Sequence, residues 1–312
     1  MYGKIEIDGS IQELVTSAYK KRGSFITDQS KFGKLILSYL GNHSKKNSRE
    51  DIHAHYDIGN EFYQMWLDST MTYSCAYFES ENMNLEEAQI AKVHHILKKL
   101  DTKPGKRLLD IGCGWGNVIF TAAQKYGLYT VGITLSEEQY LYINKKIEIL
   151  GLQNKVKVFM LDYRDLGEKD FDYIISVGMF EHVGKDNLGL YFSKIYDYLK
   201  TNGRALIHGI TGQHQGAGVD PFIVKYIFPG GYIPNISENI NHIMNAKLQL
   251  DDLEPLRRHY QKTLEIWNTN YQSVFNEVEK KWAFLLLECG AFTFNPAQQV
   301  LSLEILILFN IY

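Results

Sequence analysis

The stretch LLDIGCGWG, residues 108–116, runs from a short apolar segment into three glycines at alternate positions. Leu108 and Leu109 followed by Asp110 read as a buried strand ending at a carboxylate. Gly112, Gly114 and Gly116 then let backbone approach a ligand before the next helix begins. Outward from this turn the rhythm repeats. KRLLDIG, YTVGIT, KVKVFMLD, FDYIISVG and GRALIHGI are five short apolar runs, with helix-like segments between the first four and before the last. That alternation predicts an α/β fold, a parallel sheet covered by helices on both faces.

Composition bounds the rest. The chain has 312 residues, 45% hydrophobic and 22% charged, ample material for one large α/β domain or two small ones. A formal charge of −3 carries no global basic field of the kind nucleic acid attracts. Cys75, Cys113 and Cys289 are widely spaced and odd in number, which fits a reducing cytoplasm better than a disulfide framework. MYGKIEIDGS at the start has no apolar run resembling a signal peptide. The longest apolar stretch, VLSLEILILFNIY (300–312), is interrupted by Glu304 and Asn310 and is shorter than the ~20 residues of a spanning helix. The expected protein is soluble or lies on a membrane surface.

Before the sheet, residues 1–50 are polar and helix-leaning and lead into the charged run NHSKKNSRED, an exposed linker or helix end. YDIGNEFYQMWLDST (56–70) carries Tyr56, Phe62, Tyr63 and Trp66 at helical spacing. LEEAQIAKVHHILKKL (85–100) predicts a helix that buries Ala88, Ala91, His95, Ile96, Leu97 and Leu100 and is stopped by Pro104-Gly105. After Ile210, TGQHQGAGVDPFIVKYIFPGGYIP loosens into an insertion expected over the sheet's carboxyl edge. A strand-like DDLEPL from 251, the segment RRHYQKTLEIW and a helix around 271–288 close the fold.

A lone glycine turn is weak, because dinucleotide enzymes share it. Here the spacing is G-x-G-x-G, and Asp110 stands where it would repel a pyrophosphate but attract an ammonium. The third strand ends at Asp162, placed to accept a hydrogen bond from an adenine amino group. Together these describe an S-adenosylmethionine pocket of the Rossmann-like methyltransferases. One feature fits that general class imperfectly: after YTVGIT, a ribose carboxylate is expected, and the chain has Thr134, Leu135 and then Gln139.

Read in order, HYDIGNEFYQMWLD, MTYSCAYFE, LEEAQIAK, LLDIGCGWG, VGITLSEEQ, GMFEHVG, LIHGITG, IFPGGYIP and HYQKTLEIW resemble the cyclopropane fatty-acid synthases and the related mycolic-acid cyclopropane synthases across roughly residues 53–290. The resemblance implies a Rossmann-like class I methyltransferase with a mostly parallel seven-stranded sheet, helices on both faces and an N-terminal helical cap. Residues 1–52 would be a polar extension, 53–104 the cap carrying Tyr73 and Cys75, and 105–312 the core, with the acyl-site insertion near 211–236. In that family, too, the second strand runs into T-L-S-x-x-Q.

The family transfers a methylene from S-adenosylmethionine across the cis double bond of a lipid acyl chain. The alkene attacks the sulfonium methyl, a carbocation forms, and a base removes a proton so that the ring closes. An uncharged alkene is a poor nucleophile, so proximity does much of the work, and the cation must be kept from water. Tyr73, Tyr226, Phe228 and Tyr260 are candidates to stabilise it through their ring faces. By resemblance, the base is a bicarbonate held by Cys75, Glu181, His208, the backbone of Ile210, and Tyr260, with Glu181 protonated or bridged by the ion's own proton. Tyr73 would pack on the cofactor's methionine part, and Asp110, Gly112 and Gly114 would cradle its amino-acid and ribose portions. Thr134, Leu135 and Gln139 would contact ribose and adenine, with Asp162 and Tyr163 on the adenine side. The implied partners are unsaturated phospholipid acyl chains met at the inner face of the membrane, with no nucleic acid; a homodimer is left open.

Plainer readings stand beside these. Cys75 or His208 alone would be ordinary core, Glu181 next to His182 a helix cap, and Cys113 and Cys289 packing. His94 and His95 point about 100° apart on a helix and share no metal-ligand spacing, so no metal is expected. Lys20, Lys21, Arg22, Lys45 and Lys46 could favour anionic headgroups, and FIVKYIFPGGYIP could be a lipid-accepting wall or core. The end, AFTFNPAQQVLSLEILILFNIY, departs from the family, with no basic residue after Lys281, so the final strand is expected to be rebuilt or impaired. Competing functions are acyl methylation without ring closure, amine N-methylation, and cofactor binding without turnover.

Overall fold

The apolar runs become the strands β1 (Arg107–Ile111), β2 (Tyr129–Thr134), β3 (Val156–Met160), β4 (Phe171–Val177) and β5 (Leu199–Thr211). The computed structural model describes residues 59–212, 232–289 and 303–310. These five strands pair in parallel. β6 (Gln249–Pro255) and β7 (Leu303–Asn310) complete a seven-stranded sheet in the order β3-β2-β1-β4-β5-β7-β6. β7 runs antiparallel to both neighbours. The expected mostly parallel sheet is therefore what forms, and strand order reverses between β1 and β4, which opens a crevice at their carboxyl ends.

Strand alternation divides the core in two. Leu108, Ile175, Leu206 and Ile210 belong to one cluster and Leu109, Ile174, Ala205 and Ile207 to the other, as period-two side chains of a doubly covered sheet must. The first cluster takes in α2 (Leu85–Lys99), α3 (Asn117–Lys125), α4 (Glu137–Ile149) and α7 (Arg257–Cys289). The short α1 (Asn60–Gln64) adds Phe62 and Tyr63 to it. α5 (Leu188–Tyr198) and α6 (Ile236–Asn245) cover the opposite face. Each fully buried Leu or Ile stabilises by roughly 1.5–3 kcal/mol, so the two cores hold the crevice rigid far more than local propensity does.

α2 starts with a capping box: Asn84 Oδ1 accepts from the Glu87 N–H and Glu87 Oε2 accepts from the Asn84 N–H, both at 2.9 Å. It ends at Lys99, and Asp101 adopts φ 51°, so the helix stops before Pro104-Gly105. Ala88, Ala91, Ile96 and Leu97 are buried as expected, together with Gln89 and Lys92. His95 is not. It stays partly exposed because polar partners meet it at the margin: Nε2 is 2.8 Å from Glu254 Oε2 and the ring stacks on Tyr77 at 4.0 Å.

Two other expectations change. RRHYQKTLEIW is not a separate segment, since it runs as helix into the residues after 271; α7, from Arg257 to Cys289, is two helices joined at a kink at Trp282. The atypical tail does form a strand. A run of Leu and Ile satisfies an interior strand whatever its exact order, and β7 pairs along eight positions with β5, from Arg204↔Asn310 to Thr211↔Leu303. Among the described residues, no helix is long and apolar enough to cross a membrane. The readings for residues 1–52, Tyr56, Tyr226, Phe228, most of the 211–236 insertion, the basic residues Lys20, Lys21, Arg22, Lys45 and Lys46, and the Cys289 side chain lie outside the described residues.

Candidate active site

The glycine turn sits at the carboxyl end of β1, where the N–H groups of Gly112 and Cys113 both donate to the Ile133 carbonyl at 3.0 Å. Gly112 (φ 81°) and Gly114 (φ 54°) are both left-handed but for different reasons. A Cβ on Gly112 would fall 2.6 Å from Met179 Cγ, so its need for glycine comes from protein packing. A Cβ on Gly114 would meet nothing within 4 Å, so that position opens onto the crevice and leaves it clear for a ligand. Cys113 is packing, as expected: its sulfur lies 2.8 Å from where a Gly132 Cβ would be, and burial pushes its thiol up.

The opposite wall is the segment Met71–Ser74, which short-range polar contacts hold over the turn. Asp68 accepts from the Thr70 N–H at 2.9 Å, Thr70 and Thr72 hydroxyls lie 2.7 Å apart, and Asn117 Nδ2 donates to Thr72 Oγ1 at 2.9 Å. α2 holds it from behind. Gln89 Nε2 donates to the carbonyls of Thr72 (3.3 Å) and Ser74 (2.9 Å), and Lys92 Nζ to Ser74 Oγ (2.6 Å). Tyr73 rests on an aromatic cluster, with ring centroids of Trp267, Trp66 and Tyr63 at 5.1, 5.4 and 5.7 Å.

Tyr73, Asp110, Gly112, Gly114, Thr134, Leu135, Gln139, Asp162 and Tyr163 all line one pocket between these walls. Thr134 Oγ1 donates to Gln139 Oε1 at 2.7 Å, and the Ser136 side chain accepts from the Gln139 N–H at 3.3 Å, which fixes the loop after β2. Asp162 reaches the pocket but both its oxygens already accept from Arg164, at 2.7 and 2.5 Å. An adenine amino group there would share an occupied carboxylate.

Asp110 is the pocket's main electrostatic feature. It is 2% exposed, and its Oδ1 has no hydrogen-bond partner. Burial pushes its carboxyl up to about 7, with Lys92 pulling the other way. A buried carboxylate facing an open cradle fits the ammonium of an amino-acid ligand. The sign of the pH effect follows. Below pH 7 the free pocket gains a proton and loses its attraction for that ammonium, so the affinity for S-adenosylmethionine should fall by up to tenfold per pH unit. Above pH 7 it should level off. Titration calorimetry between pH 5.5 and 8.5 checks this; flat affinity would exclude Asp110 as the ammonium partner.

The five residues assigned by resemblance to bicarbonate do not line this pocket. Cys75 and His208 are completely buried, and Glu181, Ile210 and Tyr260 nearly so. Glu181, on the short turn Phe180–His182 after β4, accepts the Ile210 N–H at 2.7 Å, so the backbone group expected to face an anion is bonded to Glu181. Cys75 is tied toward Tyr260's helix, because the next residue's N–H donates to Thr263 Oγ1 at 3.0 Å on α7. Gly178 donates to the His208 carbonyl at 2.9 Å, and a Cβ there would lie 3.3 Å from Ser74 Cβ. The carboxyl ends of β4 and β5 therefore meet the 73–75 segment. Burial lowers His208 to about 3, so its imidazole is neutral at physiological pH.

Sequence reasoning missed several pocket residues: Ser74, Lys92, Asn117, Gly178, Met179 and His182. Ser74 stood inside a quoted motif and could have been found there. Lys92 looks like one more solvated charge on a lysine-rich helix until its burial is known.

A carboxylate aimed at an open glycine cradle beside a loop with polar side chains suits a nucleoside that carries an amino acid, and the chain is an S-adenosylmethionine-dependent methyltransferase. The family model for mycolic acid cyclopropane synthetase matches residues 43–285, and a domain of unknown function matches residues 1–30. The chain belongs to the mycolic acid cyclopropane synthetase family, whose chemistry is S-adenosylmethionine-dependent methylene transfer to lipid acyl chains.

Among its relatives is a "probable fatty acid methyltransferase" of Pseudomonas putida, 40% identical over 277 residues, 87% of this chain and 69% of the relative. Another is the cyclopropane-fatty-acyl-phospholipid synthase of Escherichia coli K12, 40% identical over 229 residues, 73% of this chain and 58% of the relative. Mycolic acid cyclopropane synthase CmaA1 complexed with SAH and CTAB superimposes with a TM-score of 0.75 at 30% identity, covering 84% of this chain and 97% of that one.

Proposed function

We propose that the enzyme converts a cis double bond in the acyl chain of a membrane phospholipid into a cyclopropane, with a buried bicarbonate as base. The observation that carries this reading is the Asp110 pocket together with five residues buried outside it, of which Cys75, Ile210 and Tyr260 share one core cluster and Glu181 accepts the Ile210 N–H. Tyr73, Asp110, Gly112, Gly114, Thr134, Leu135, Gln139, Asp162 and Tyr163 would hold S-adenosylmethionine, and Cys75, Glu181, His208 and Tyr260 would hold the anion, the Ile210 N–H being taken by Glu181. When bound, the first supplies an electrophilic methyl on sulfonium and the second a base for the surplus proton. A thiol, a phenol and a neutral imidazole are suitable donors for a small oxyanion. Glu181 keeps the Ile210 N–H fixed and can share a proton with the ion. The ring of Tyr73, which lines the pocket, can offer its face to positive charge, worth roughly 0.5–2 kcal/mol, and the buried Trp66 and Trp267 packed against it keep water away on that side.

A second reading is methylation of the acyl chain without ring closure, favoured by the Pseudomonas putida relative that covers most of the chain. Purified protein incubated with labelled S-adenosylmethionine and vesicles of unsaturated phospholipid separates the two by mass analysis of the hydrolysed acyl chains. Cyclopropyl product supports the first reading. A branched methyl product replaces it with the second, and cofactor binding without lipid product removes both.

A further inference from the structure

We infer that His259 is a positioning residue: by accepting the Phe78 N–H it sets where Cys75 stands relative to Tyr260, a role that rests on reading those two side chains as holders of the anion. Residues 71–78 form no helix or strand, so the place of Cys75 depends on what the backbone around it is tied to. Three successive N–H groups do this. Ala76 donates to Thr263 Oγ1 at 3.0 Å, Tyr77 to the Ala88 carbonyl at 3.1 Å and Phe78 to His259 Nδ1 at 3.0 Å. Thr263 Oγ1 in turn donates to the His259 carbonyl at 2.7 Å. Two of the three ties therefore lead to one turn of α7, residues 259–263, and Tyr260 stands in that turn.

Stacked rings hold the histidine itself. Tyr77 lies between His95 and His259, with centroids 4.0 and 4.7 Å away and planes 10° and 16° from parallel. His95 is fixed in turn by Glu254 Oε2 at 2.8 Å, a carboxylate that also accepts from Lys99 at 2.5 Å. Glu254 on β6 and His208 on β5 both pair with Leu306 of β7, so the anchor of the stack and one of the anion's proposed holders occupy a single row across the sheet. A ring nitrogen that accepts carries no hydrogen, so His259 is neutral with its proton on Nε2. Burial, which lowers its pKa, favours that form. Neither Tyr77 nor His259 is among the described residues that line the S-adenosylmethionine pocket. Thr72, in the wall of that pocket, has its own ties to Asp68, Gln89 and Asn117.

The alternative is that His259 only packs the margin between α2 and α7. The anion separates the two roles, because a misplaced Cys75 or Tyr260 weakens the hold on it and added bicarbonate compensates. Lipid product formation at saturating S-adenosylmethionine should be measured in carbonate-free buffer and across added bicarbonate for the wild type, His259→Ala, His259→Asn and His259→Phe. The bicarbonate concentration giving half-maximal turnover should rise roughly ten- to hundredfold in His259→Ala, the range for lost hydrogen bonding to a charged group. His259→Asn, whose amide oxygen can accept the Phe78 N–H, should return to within about threefold of wild type. His259→Phe, which keeps the stack but not the acceptor, should stay at least about tenfold high. Calorimetric affinity for S-adenosylmethionine should remain within about twofold in every variant, as expected for a separate site, and reports that each is folded. A wild-type bicarbonate requirement in His259→Ala, no recovery in His259→Asn, full recovery in His259→Phe, or a parallel loss of cofactor affinity overturns the assignment while leaving the anion reading intact. Wild-type enzyme that makes no lipid product, or whose turnover ignores bicarbonate, removes the anion reading and this role with it.

Discussion

Glu181→Gln should lower turnover roughly 10²- to 10⁴-fold, the range expected when a group that handles a proton is disabled, and leave cofactor affinity within about twofold. Glu181 is buried on the turn after β4 and accepts the Ile210 N–H through Oε1. A glutamine amide oxygen can take that same bond, so the turn and the end of β5 keep their geometry. What is lost is a carboxyl that can share or give up a proton, replaced by an amide that cannot. Since Glu181 does not line the S-adenosylmethionine pocket, affinity there has no reason to change. Single-turnover assays with labelled cofactor measure the first quantity and calorimetry the second. Parallel loss of both would make Glu181 a structural residue, and an unchanged rate would remove it from the chemistry.

The fold was legible where the signal was local. LLDIGCGWG announced a strand, a carboxylate and a turn, and the structure has β1, Asp110 and two left-handed glycines in the crevice. Resemblance did the same for the pocket lining, since Thr134, Leu135 and Gln139 replace the usual ribose carboxylate and still reach the site. What stayed hidden depends on distant partners. Periodicity on α2 gave no ground for burying Gln89 and Lys92, whose Nε2 and Nζ donate to the Thr72–Ser74 segment, 15 to 18 residues earlier in the chain. His95 was expected inside and instead meets Glu254, 159 residues away. The altered tail raised doubt about the last strand, but an interior strand requires apolar residues and free backbone groups rather than a particular motif. β7 supplies these between β5 and β6. Glycine roles were only half legible: the pattern cannot distinguish Gly112, crowded by Met179, from Gly114, open to the pocket.

That difference gives the other large effect. Gly114→Val should abolish measurable S-adenosylmethionine binding, a loss of at least about a hundredfold, with only a modest drop in melting temperature. The added side chain meets no protein atom within 4 Å at its Cβ, so the free enzyme suffers little overlap and bears mainly the backbone strain of φ 54°. That strain costs roughly 1–2 kcal/mol, or about 2–8 °C for a chain of this class. The side chain's volume lies where the ligand would pass closest to the turn, and that cost falls entirely on binding. Gly112→Val should differ in kind. Its Cβ would sit 2.6 and 2.7 Å from Met179 Cγ and Cβ, so stability should fall along with affinity. Melting curves and calorimetry on both variants read the two effects separately. If Gly114→Val binds S-adenosylmethionine within about threefold of wild type, the ligand does not lie against this turn, and the assignment of the crevice after β1 as the methyl donor's site is wrong.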